Sequence, residues 1–151
     1  MDNHNLRMLI ELATTARDGA AARQAQVHAQ LMQAEAQLQT LRGYVRDYQT
    51  RADDAMRQGC DIAAQGNQRA FVARLERAIV QQADEVQRRT RLLEAAAAEV
   101  AQFQRKLKSL EALAQRKLDA QRTAEERREQ KTMDELARQA SAAAPLARNA
   151  W

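Results

Sequence analysis

The sequence predicts an all-α chain folded as a long antiparallel two-helix coiled-coil hairpin, and three observations predict it. The first is periodicity. Leu6, Ala13, Ala20, Val27, Ala34, Leu41, Tyr48 and Ala55 recur every seven residues, and Ile10, Leu31, Leu38, Val45 and Ala52 lie four residues after members of that row. A second set repeats the design: Val72, Ile79, Val86, Leu93, Val100, Leu107 and Ala114, with Leu75, Ala96, Phe103 and Leu110 three residues on. This 3–4 spacing keeps one narrow apolar seam on each helix, as knobs-into-holes packing requires. The second observation is the break between the two sets, marked by Gly59 and Gly66. The third is composition. Aromatics make up 3%, charged residues 29%, and there is one proline, which points to long helices rather than a compact core.

The first helix is expected over residues 1–58, capped near Asn3 or Asn5. Gly43 lies inside it, either tolerated or marking a close backbone approach beside Tyr44. Gly59 terminates it, because glycine reaches the left-handed region without a clash, and residues 59–67 form the turn. Asn67 caps a second helix over residues 68–139, and Pro145 stops continuation, leaving 140–151 as a flexible tail. With a turn centred near residue 63, residue i faces a partner near 126 minus i. Leu31 then opposes Ala95, Leu38 opposes Arg88 and Tyr48 opposes Ala78. Arg17, Gln24, Gln82 and Arg89 interrupt the seam, where they either specify register or extend out of it into water. Past Ala114 the ladder fails at Lys117, Gln121 and Arg128, so residues 117–139 should form a single charged helix that outlasts its partner.

A rod of this kind has much surface and little interior for a substrate. The net charge of +4 is uneven: residues 105–139 hold 10 basic and 7 acidic side chains, whereas the two signs balance in 1–58 and in 59–104. Those acidic residues and the lack of interleaved aromatics argue against a nucleic-acid surface despite the basic pI. A lone Cys60 permits no internal disulfide and suits a reducing, cytoplasmic setting, and no apolar run approaches a membrane span. His4 and His28 lack partners at metal-ligand spacing, and the glycines match no phosphate-binding fingerprint. No enzymatic activity, metal, cofactor or small-molecule substrate is expected.

The aromatics carry more information. Gln37, Leu41, Tyr44 and Tyr48 follow one helical stripe at spacings of four, three and four, and Phe71, Leu75, Ala78 and Gln82 do the same on the returning helix. Leu41, Tyr48 and Leu75 partly belong to the seam, where simple packing explains them. Tyr44 and Phe71 fall outside the ladders, and exposed aromatics on a thin rod suit a protein-docking face.

On the stretch 9–16 with Arg17-Asp18, then Gln37-Leu38, Leu41, Tyr44 and Tyr48, then Phe71, Leu75, Ala78, Ile79 and Gln81, the chain resembles the FliJ family over about residues 5–118. These are coiled-coil components of the bacterial flagellar type III export apparatus. The resemblance implies a stalk similar to the coiled coil of the ATP synthase gamma subunit, and the hairpin reading itself expects a monomer when isolated. It implies insertion of the end carrying both termini into the hexameric export ATPase, FliI. It also implies contact with the export gate FlhA through Gln37, Leu41, Tyr44, Tyr48, Phe71, Leu75, Ala78 and Gln82, although relatives carry histidine where this chain has Gln82. FliH and export chaperones are further implied partners, and the assembled location is the cytoplasmic face of the inner membrane. Arg122, Arg127, Arg128 and Lys131 are candidates for contacts within the ATPase ring, with a solvated helix face as the alternative. The YscO-type stalk of a virulence injectisome shares the architecture, and a purely structural coiled coil would share the seams.

Overall fold

The computed structural model describes residues 2–59 and 61–148, with side chains as far as residue 143. Two helices, α1 (Asn3–Arg57) and α2 (Ile62–Arg148), pack against each other, and no strand occurs among the described residues. Neither is long and apolar enough, over its described residues, to cross a membrane.

α1 starts at the expected place but with a different cap. The Leu6 N–H donates to the Asp2 carbonyl at 3.1 Å, which puts Asp2, not Asn3 or Asn5, at the cap position. At the other end Gly59 adopts φ +78°, the left-handed terminator that a glycine supplies without strain. Its N–H donates to the Met56 carbonyl at 3.3 Å, closing the last turn.

The connection is shorter than residues 59–67. Gln65 N–H donates to the Asp61 carbonyl at 3.1 Å, so Asp61 takes the cap position assigned above to Asn67. Aspartate caps as well as asparagine, and helix can absorb Gly66 at a cost of about 1 kcal/mol. Cys60 lies outside the described residues. α2 also runs past residue 139 and through Pro145 to Arg148. Proline's fixed φ is itself helical, and the backbone bond its missing N–H removes lies only three residues from the helix end. The tail expected at 140–151 is therefore helical as far as Arg148, and 149–151 lie outside the described residues.

The chain forms two compact units, Ala13–Arg105 and Met1–Leu12 with Lys106–Trp151. In the first, Ala13, Ala20, Leu31, Ala34 and Leu38 are buried; in the second, Leu6 and Leu107 are. Every member of both seven-residue ladders is buried or half-buried, as an inward-facing seam requires.

Register is the main correction. Within the Ala13–Arg105 unit Tyr48 meets Phe71, Gln37 meets Gln82 and Gln30 meets Arg89, so residue i faces 119 minus i rather than 126 minus i. The assigned pairs Leu31–Ala95, Leu38–Arg88 and Tyr48–Ala78 are each displaced by one heptad. The cause is the short connection, because α1 ends at 57 and α2 begins at 62. A heptad shift returns the same rows to the seam, which is why the apolar pattern survives the error.

The polar interruptions divide. Gln82 and Arg89 bond across the seam, Gln82 Nε2 to the Ala34 carbonyl at 2.9 Å and Arg89 to Gln30 Oε1. Arg17 instead turns to Asp18 on its own helix at 2.9 Å. A side chain at Gly43 would meet only the Arg46 guanidinium at 4.0 Å, so this glycine is tolerated rather than required.

Candidate functional site

The observed register turns two half-stripes into one ladder. Gln37, Leu41, Tyr44 and Tyr48 on α1 fall opposite Gln82, Ala78, Leu75 and Phe71 on α2, giving four rungs. The two outer rungs are explicit contacts. The Tyr48 and Phe71 rings lie 4.6 Å apart at 45°, and Gln82 Nε2 donates to Gln37 Oε1 at 3.2 Å. A tilted ring pair at this distance is favourable beyond its buried area.

Exposure separates floor from edge. Leu41, Tyr48, Leu75, Ala78 and Gln82 are half-buried and form the floor. Tyr44 is 51% exposed and Phe71 37%, and Gln37 is also exposed. The face thus offers ring surface, aliphatic surface and amide hydrogen-bonding groups.

Several neighbours escaped the sequence reading. Arg51 lies over the Tyr48 ring at 5.7 Å, a cation–π contact foreshadowed only by its spacing of three. Just beyond Gln82, Glu85 receives both Arg88 at 2.7 Å and Arg89 at 2.8 Å. Hydrogen bonds from Arg88 and then Arg89 hold its carboxyl down at about 2. That triplet is legible as i, i+3 and i, i+4 spacing, but the link from Arg89 on to Gln30 needed the register. A largely apolar groove near the turn, lined by Ala52, Met56, Gln65 and Val72, was also missed, since its two walls meet only once the helices are aligned.

The four cationic ring candidates lie in the other unit, on a part of α2 where every described residue from Leu118 onward is exposed. Arg127, Arg128 and Lys131 sit within about one turn of one another, whereas Arg122 and Lys131 are nine residues, about two and a half turns, apart and face opposite ways. Helix periodicity therefore does not unite all four. Local bonds stand in for packing here: Gln115 to Asp119 at 3.0 Å and Gln130 to Asp134 at 3.1 Å, both one turn apart. Among the described residues no group of three or more His, Cys, Asp or Glu is placed to hold a metal.

A family model described as Flagellar FliJ protein matches residues 2–145, nearly the whole chain. No curated protein and no solved structure matches it.

Proposed function

The chain belongs to the FliJ family of flagellar protein export, and from that premise we propose that it couples the hexameric export ATPase to the FlhA-type export gate. The family is a structural component of export, and the coupling requires no covalent chemistry. In this reading the gate docks on the four rungs from Gln37–Gln82 to Tyr48–Phe71. The ring holds the unit that contains Arg122, Arg127, Arg128 and Lys131. Export chaperones and FliH join the same assembly at the cytoplasmic face of the inner membrane.

The observation that supports this most is the alignment of the two half-stripes. Eight residues singled out on separate helices become one face, with Tyr44 and Phe71 left in water at its edge. Exposed aromatics beside a half-buried floor are typical of residues that dominate binding energy.

The test pairs two variants in pull-downs of the FlhA cytoplasmic domain and of the export ATPase. Tyr44→Ala with Tyr48→Ala and Phe71→Ala should reduce gate capture at least tenfold and leave ATPase capture intact. Truncation after Leu118 should do the reverse. Unchanged gate capture by the triple variant refutes the docking face, and equal losses in both assays refute the division of labour.

A further inference from the structure

Both seams repeat every seven residues, so a seven-residue slide of α1 along α2 returns every row to an equivalent row. The slide needs slack, and residues 62–68 are seven residues long. As the first two turns of α2 they bury little. Ala64, Gln65 and Gln68 are half-buried, the latter two along the groove with Ala52 and Met56, but Ile62 is 84% exposed, and nothing lies within 4 Å of a side chain placed at Gly66. Ala63, Gly66 and Asn67 are exposed as well. With that segment unwound, α2 would begin at Arg69, and the helix ends at 57 and 69 would set the pairing to 126 minus i.

We infer that this helix pair has two registers, one heptad apart, with residues 62–68 as the length taken up or released between them. The resting register is held by Tyr48 against Phe71, Gln82 on Gln37 and the Ala34 carbonyl, and Arg89 on Gln30. It is also favoured at the start of α1, because Leu6 and Leu113 line one groove and a seven-residue slide would carry Leu6 on toward Ala120, past the end of the apolar ladder. The slid register keeps the seam but opposes Tyr48 to Ala78 and Phe71 to Ala55. The four rungs come apart, so the docking face exists in one register only. This last step rests on the docking assignment above; the slide itself does not. A partner that favours one register thereby controls the face without touching it.

The experiment uses the full chain with Cys60→Ser and spin labels at Arg46 and Ala73, which are exposed and oppose each other in the resting register. Pulsed dipolar distances should show a major short population and a minor one with an axial offset of seven residues, roughly 10 Å. Gly66→Pro, which breaks the first turns of α2, should raise the minor population several-fold. Deleting residues 62–68 should leave only the offset population with helicity per residue unchanged. A single short distance in both the full chain and Gly66→Pro overturns the two-register pair, as does loss of helicity in the deletion. The deletion should also lose capture of the FlhA cytoplasmic domain. If the distances shift as expected and capture persists, control of the face by register is overturned while the slide stands.

Discussion

Tyr44 and Tyr48 are one turn apart, yet their environments assign them different work. Tyr48 packs on Phe71 and under Arg51, while Tyr44 is 51% exposed. Tyr48→Ala should therefore cost about 1–3 kcal/mol in chemical denaturation, and Tyr44→Ala should stay within about 0.5 kcal/mol. Both should weaken gate capture, so only Tyr44 separates binding from stability. Glu85 gives a second residue-level test. Its carboxyl is lowered from 4.5 to about 2 by hydrogen bonds from Arg88 and Arg89. A depressed carboxylate contributes stability above its unfolded pKa and loses it as pH falls through the folded value. That contribution should thus be intact above pH 4.5 and disappear toward pH 2. A carboxyl-carbon NMR titration should place the Glu85 midpoint far below an ordinary glutamate, and Arg88→Ala should bring it back upward.

At the scale of the helix, alanine does much of the seam's packing. Ala13, Ala20 and Ala34 are 6%, 1% and 5% exposed, so a larger side chain there would have to displace its neighbours. Ala20→Leu is a hydrophobic substitution at a hydrophobic position, yet it should destabilise by about 1–3 kcal/mol through overpacking, measured as a lowered midpoint of thermal unfolding. What was legible at this scale was the set of inward positions, because period seven is a local signal. Even the small alanines of the ladders, Ala13, Ala20 and Ala34, turn inward as that period requires. Helix ends were less legible: Asp61 and Asn67 are equally good caps, and only the chain's preference for extra helix over a longer loop selects between them. The half-stripes could be seen on each helix alone. Their union into rungs could not, since a heptad pattern fixes which face turns inward and leaves the register undetermined to multiples of seven.

For the whole molecule, the two compact units differ in how much partner each part of α2 receives. Residues 62–105 lie along α1 inside their own unit, whereas those from Leu118 to 143 are exposed throughout. Single helices without tertiary packing open easily. Amide hydrogen exchange should therefore be fastest over 119–143 and slowest around Leu31, Ala34 and Leu38. Uniform protection along α2 would show that the isolated chain already associates through its extension.

That solvated segment has a further bearing on the protein's lifetime. Arg122, Arg127, Arg128, Lys131 and Arg138 place cleavable bonds in the stretch of backbone that opens most readily. Proteases cut where the chain opens locally. If a partner ring holds this unit as proposed, copies outside it should be nicked there first, and binding should protect these bonds from limited proteolysis.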